Sequence, residues 1–150
     1  MIYTSELREK ISSVFTSQSL AVLATQKDGR PYANLVAFAA TEDLRILLFT
    51  TSRSTRKFSH ILDSPQVALL IDNRTNSIRD FRDAVAISAL GKATVVEGAE
   101  KEHLSSVYLA KHPHMTGFIS FPNQALLKVE VSKYILVSHF QCVLELNIDE

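Results

Sequence analysis

The sequence predicts a mainly β protein, an antiparallel β-barrel of about seven strands with three to four α-helices inserted. Three observations predict it. Short apolar or alternating runs recur along the chain, separated mostly by brief turn-forming stretches. Two stretches, 5–17 and 99–111, instead space their apolar residues at helical intervals. Closing a sheet of many short antiparallel strands removes exposed edges, so a barrel is the economical arrangement.

The elements follow in order. Residues 5–17 read as a helix with Ser5 as its cap and Leu7, Ile11, Val14 and Phe15 as its apolar stripe, placed to cover an open barrel end. A strand occupies 19–25. Lys27-Asp28-Gly29-Arg30 is a hairpin turn, and Pro31 opens the next strand, 32–40, where a missing N–H does least harm. After a turn at 41–43, the third strand runs over 44–50. A short helix begins near Ser54 or Thr55 and must stop before Pro65. Residues 67–71 form a wholly apolar strand, 72–77 a polar loop, and 80–83 one helical turn. The long strand 84–97 carries small residues on both faces, which suits close approach of a ligand or backbone, or a tightly curved barrel wall. The helix 99–111 turns Leu104, Val107 and Tyr108 inward and ends at His112-Pro113, and 114–122 reads as a linker. Strands 126–137 and 140–148 complete the set, the last with Phe140, Cys142, Leu144, Leu146 and Ile148 on one face. No repeat or linker divides residues 1–150, so a single domain is expected.

Composition narrows the function. The chain is 46% apolar and 21% charged, with 16 basic and 16 acidic residues and no net charge. Broad nucleic-acid binding or attachment to an anionic membrane needs a basic excess and is not expected. Cys142 is the one cysteine, so no internal disulfide forms and a reducing cytoplasm is the expected location. Met1–Glu6 lacks the basic-then-apolar pattern of a signal peptide, and no apolar run nears the roughly 20 residues of a membrane span. His103, His112 and His114 offer too few ligand-spaced donors for a metal, so none is expected. No Ser/His/Asp set or carboxylate pair has a spacing suited to hydrolysis.

The distinctive stretch is Phe49-Thr50-Thr51-Ser52-Arg53-Ser54-Thr55-Arg56-Lys57. Arg56 and Lys57 fall in the first turn of the short helix. The peptide dipole disfavours cations there by roughly 0.3–1 kcal/mol each. Hydroxyls, free N–H groups and two cations at a helix start suit an anion, most simply a phosphate. Side chains pointing into water would explain the same residues, and both readings stay open at this level. Arg74, in Asp72-Asn73-Arg74 after a buried strand, reads first as part of a solvated Asx turn and second as a contact to a ligand.

Strand, Phe49-Thr50, hydroxyl-rich turn, Ser54-Thr55-Arg56-Lys57 and then His60-Ile61 and Ser64-Pro65-x-Val67 resembles the flavin-binding segment of the pyridoxamine 5′-phosphate oxidase-like proteins. The turn Lys27–Pro31 and the segment Ala89–Ala93 fall where that family has similar features. The resemblance implies an FMN-binding split β-barrel, working as a homodimer with FMN at the subunit interface. It places Ser54, Thr55, Arg56 and Lys57 on the FMN phosphate. Phe49, Thr50 and Thr51 would lie along the ribityl chain and ring edge, and the backbone of Asn34, Leu35 and Val36 against the isoalloxazine. It implies a small-molecule substrate, and composition leaves no nucleic-acid or membrane partner expected. The oxidase's basic residues beside this second strand are replaced by Asn34 and Ala39, its glutamine by Ala86, and the chain has no Trp. The resemblance therefore carries the fold and a flavin-type oxidoreductase, with substrate and catalytic residue unassigned. It does not carry oxidation of pyridoxamine phosphate. Haem or another cofactor bound without turnover on the same barrel is the alternative, and a deazaflavin could replace FMN.

Overall fold

The computed structural model describes residues 4–148. Part of the N-terminal stretch read for a signal peptide lies outside them. Helix α1 (Thr4–Ser17) is followed by strands β1 (Leu20–Lys27), β2 (Arg30–Ala40) and β3 (Ile46–Ser52). Helix α2 (Arg56–Asp63), β4 (Gln66–Asp72), the single turn α3 (Asp80–Asp83) and β5 (Val85–Val95) come next. Helix α4 (Lys101–Lys111), the short α5 (Thr116–Ile119), β6 (Gln124–Ser138) and β7 (Cys142–Asn147) complete the order.

The strands form one seven-stranded antiparallel sheet in the order β3-β2-β1-β4-β5-β6-β7. Pairing of β3 with β6, from Ile46↔Glu130 to Ser52↔Gln124, closes the first six into a barrel and leaves β7 as an added strand. The β1–β2 hairpin turns on Asp28 (φ 53°) and Gly29 (φ 76°), the left-handed pair that a two-residue turn matched to strand twist requires.

Alternation along the strands sends Leu23, Phe38, Phe49, Leu69, Ile87, Leu127 and Tyr134 into the barrel, each fully buried. Helix α1 plugs one end, as its stripe predicts. Phe15 meets Phe38 and Tyr134 edge to face, with ring centroids 5.4 and 5.7 Å away. The Tyr134 hydroxyl donates to the Leu44 carbonyl at 2.8 Å, and burial pushes its phenol above the usual range. Outside the barrel, α4 packs Leu104 and Tyr108 against Ala39, Leu48 and Leu126.

Several local expectations are corrected. α1 starts at Thr4, which places Ser5 inside its first turn. The 114–122 stretch is no plain linker: it winds into a 3₁₀ turn (Pro113–Met115) and then α5. The last strand begins at Cys142, because His139 (φ 54°) and Phe140 (φ 57°) form a tight left-handed turn. Phe140 and Cys142 are therefore exposed, and only Leu144, Leu146 and Ile148 point inward.

The small residues of β5 divide between two roles. Ala86 and Ser88 lie on the sheet's outer face, whereas Gly91 sits at the register shift where β5 bends against β6. A Cβ at Gly91 would overlap the Glu130 carbonyl oxygen and come within 2.9 Å of Val129 Cγ1. Neither backbone can retreat without breaking the ladder. Gly91→Ala is predicted to destabilise the protein by about 2 kcal/mol or more, read as a lowered urea midpoint. An unchanged midpoint would show that the bend relaxes freely.

Candidate flavin site at the fork between β2 and β3

The site begins where two neighbouring strands part. β2 pairs with β3 only through Phe38↔Phe49, Ala39↔Leu48 and Ala40↔Leu47. Continued in register, the ladder would join Ala37 to Thr50, Val36 to Thr51 and Leu35 to Ser52. Those pairings are not made. β2 instead stays on β1 from Ala37 down to the hairpin, while β3 stays on β6. Asn34–Val36 and Thr50–Ser52 thus border an opening in the barrel wall, and α2 begins at its mouth.

Helix α4 holds the fork open. The Tyr108 hydroxyl donates to the Ala37 carbonyl at 3.3 Å, and the Thr50 side chain lies against the same hydroxyl. Burial raises the phenol's pKa, and the Thr50 contact opposes the rise. One turn on, the buried His112 has Nε2 2.7 Å from the Phe38 carbonyl oxygen, which fixes the proton on Nε2. The Ala37 carbonyl, which faces the gap left by β3, is thereby satisfied by a side chain instead of a neighbouring strand, while His112 meets the Phe38 carbonyl on the β1 edge, where the Phe38 N–H donates to the Ser19 carbonyl. From the sequence alone Tyr108 reads as a core residue and His112 as a helix end. Their partners lie more than 70 positions away, and nothing local announces them.

The basic turn is built from its own hydroxyls. Thr55, not Ser54, is the N-cap of α2: its Oγ1 accepts from the Phe58 N–H at 3.3 Å and lies 2.8 Å from the Thr51 hydroxyl. Ser54 is exposed, its hydroxyl 2.8 Å from that of Ser52. Arg56 and Lys57 occupy the first helical turn, as the sequence indicates. Lys57 is half-buried with no ion pair among the described residues, and desolvation lowers its pKa. An anion beside it would reverse that shift. Arg56 is exposed and lies over the Tyr32 ring.

Two buried amide oxygens find no partner among the described residues: Asn34 Oδ1 on β2 and Gln124 Oε1, opposite Ser52 on the β3–β6 ladder. Each belongs to a strand at the opening. Unpaired buried acceptors cost free energy, and hydroxyls or an N–H of a guest would satisfy them. The donors at the α2 start suit a phosphate, and the acceptors along the opening suit a polyhydroxyl chain and a ring N–H. The residues present therefore fit a flavin mononucleotide.

The other expected site residues distribute unevenly. Val36 and Phe49 bury their side chains in the core, so only their backbones face the opening. Leu35 points outward and is 62% exposed. Arg74 stands apart, beyond the end of β4 remote from α2, with its guanidinium 3.0 Å from the Asp72 carboxylate. Its loop is organised by Asn73 Oδ1, which accepts from the Val85 N–H at 2.7 Å, and by the Asp80 carboxylate, which accepts from Thr75 and Asn76. Those hydrogen bonds hold the Asp80 carboxyl below its usual range. A cleft of about 960 Å³ lies elsewhere, between α1, α4 and the Thr41–Arg45 turn, and is lined by charges of both signs.

Beside the opening, the outer face of the sheet is largely apolar and uncovered among the described residues, interrupted by Asp72 on β4 and Glu145 on β7. One row crosses β2, β1, β4, β5 and β6 as Leu35, Val22, Leu70, Ser88 and Ile135. The next row includes Leu20, Ala86, Val137 and Val143. Leu20 and Val143 are more than half exposed, at 52% and 55%.

Tyr108→Phe is predicted to cost about 1–2 kcal/mol, because the Ala37 carbonyl loses its donor at a half-buried position. Chemical denaturation checks it. A variant as stable as the parent would show that solvent serves that carbonyl equally well.

No helix among the described residues is long and apolar enough to cross a membrane, and no group of three or more metal-ligating side chains occurs among them. No curated protein matches the sequence. The structure is similar to a heme binding protein from Mycobacterium smegmatis (TM-score 0.84, 14% identity), covering 97% of this chain and 60% of that one. It is also similar to a FAD-binding protein from Mesorhizobium loti (TM-score 0.68, 15% identity, 85% and 90% covered). A third relative is general stress protein 26 from Bacillus anthracis (TM-score 0.68, 20% identity, 93% and 98% covered). The chain thus spans about 60% of the mycobacterial protein's length. At these identities the likenesses establish the barrel alone. Residues 7–138 match the family model described as pyridoxamine 5′-phosphate oxidase, and the chain belongs to that family.

Proposed function

We propose that the protein is an FMN-binding flavoprotein, a small oxidoreductase acting as a homodimer with the flavin between the two copies. The observation that carries this reading is the pair of cations in the first turn of α2, at the mouth of an opening bordered by unpartnered buried acceptors. In this reading Ser54, Thr55, Arg56 and Lys57 hold the phosphate. Thr50, Thr51, Asn34 and the backbones of Leu35, Val36 and Phe49 hold the remainder. Arg74 would contribute only from the second copy. The FMN, when bound, supplies the hydride and electron chemistry, and the protein supplies binding, orientation and exclusion of water. No acid–base side chain need act, which is consistent with the absence of a triad or carboxylate pair.

The apolar outer face supports pairing of two copies. It borders the opening through Leu35, so a second copy seated there would wall the flavin ring from solvent. A zero net charge offers little repulsion to such pairing.

Haem is the second reading, favoured by the likeness to a protein named for heme binding. Of the five histidines, His112 already spends Nε2 on Phe38, and His103, His114 and His139 are exposed. A saturable Soret change with hemin in place of any flavin effect would favour it.

The test of the flavin reading is affinity. FMN at about 100 times its Kd should add roughly 2.7 kcal/mol of stability, seen as a raised Tm. Arg56→Ala with Lys57→Ala should weaken FMN by about 100-fold or more while leaving riboflavin within a few-fold. Equal losses for both flavins would reject the phosphate role.

A further inference from the structure

The flavin reading leaves a second pocket unused. The β1–β2 hairpin and α2 enclose about 510 Å³ between Lys27, Arg30, Tyr32, Arg56 and His60. The hairpin's register explains the grouping: Lys27 pairs with Arg30 and Thr25 with Tyr32, which sets both basic residues and the phenol ring on the side that meets α2. The Arg56 guanidinium lies over the Tyr32 ring, 5.4 Å from its centroid. That stacking holds the planar fork in place, so its N–H donors need little ordering to meet an anion. His60, one turn along α2, meets the same ring edge-on at 5.7 Å. Its Nδ1 is 3.2 Å from the Thr25 hydroxyl, which orients the imidazole and leaves Nε2 for a guest.

The charges are unbalanced. Arg30 and Arg56 have no ion-pair partner among the described residues, while Lys27 meets Asp63 at 3.0 Å. Asp28 is the single carboxylate in the lining. A protein with no net charge thus sets three of its 16 Lys and Arg residues around one concavity, continuous with the start of α2 through Arg56. One phosphate at that start would engage Lys57 and one side of Arg56, and Arg30 and His60 would remain for another.

We propose that this pocket is a second phosphate subsite that receives the adenosine-side phosphate of an adenine dinucleotide, with Tyr32 and Pro31 as the apolar wall for its nucleoside. The proposal rests on the flavin reading for the placement of the first phosphate. The dinucleotide is either FAD, with its AMP half in the pocket, or a separately bound nicotinamide dinucleotide, and the two share this chemistry.

The experiment measures riboflavin, FMN, FAD, ADP and NADP⁺ by titration calorimetry on the full chain and on Lys27→Ala with Arg30→Ala. Both side chains are exposed at the hairpin, outside the residues assigned to FMN, and circular dichroism verifies the fold. If the pocket takes the AMP half of FAD, FAD binds about tenfold tighter than FMN, and the variant removes that advantage while FMN stays within about twofold. If it takes a separate dinucleotide, NADP⁺ binds the FMN-loaded protein without displacing FMN, and the variant weakens it about tenfold. ADP that binds in a variant-sensitive way while no flavin binds would keep the subsite and reject the flavin reading. The proposal is overturned if FAD binds no tighter than FMN and neither ADP nor NADP⁺ binds. It is equally overturned if the variant weakens every ligand alike.

Discussion

The structure depends on a hydrogen-bonding constraint at one point of the barrel. A strand that leaves its neighbour exposes a row of backbone groups, and such groups are costly to bury unpaired. β2 parts from β3 on the hairpin side of Phe38; the Ala37 carbonyl left facing the gap is met by Tyr108 of α4, and the Phe38 carbonyl, on the β1 edge, by His112 at the end of that helix. Helix α4 is anchored there by Leu104 and Tyr108 in a small apolar cluster of its own. The fork is therefore supported by packing from outside the barrel. Closure on the far side by β3 and β6 keeps β3 in place while β2 departs. An opening with two stable walls results.

The second constraint is electrostatic. Thr55 and Thr51 fix the α2 start through hydroxyl contacts, and the helix then carries two cations where its dipole favours anions. Lys57 is also partly desolvated, so its charge is disfavoured twice in the unliganded protein. A phosphate relieves both penalties together. Together with the orphaned oxygens of Asn34 and Gln124, the site gives up stability that a guest restores.

Much of this was legible in the sequence because it is local. Strand alternation, the Asp28-Gly29 turn, the Pro65 stop and the first-turn position of Arg56 and Lys57 all follow from a few adjacent residues. The fork was not legible, because its determinants join α4 to β2 across the chain. Strand alternation reports which side chains alternate but not which face lacks a cover, so the apolar outer surface through Leu35 and Leu70 emerged only with the sheet order. The His139-Phe140 turn escaped for a different reason. Left-handed backbone there is carried by residues that rarely adopt it, and the apolar pattern of the last strand ran through them. Arg74 followed a buried strand as binding residues often do, yet β4 carries it away from α2 and Asp72 pairs with it.

The central claim is that the opening beside β2 becomes a cofactor site when a second copy covers the adjoining apolar face. Sedimentation of Leu70→Asp, combined with FMN titration, tests it most directly, since Leu70 lies on that face but outside the residues assigned to the flavin. The parent should sediment as a dimer. The variant should sediment as a folded monomer whose FMN affinity is lower by about tenfold or more. A variant that remains dimeric, or a monomer that binds FMN as the parent does, would contradict it.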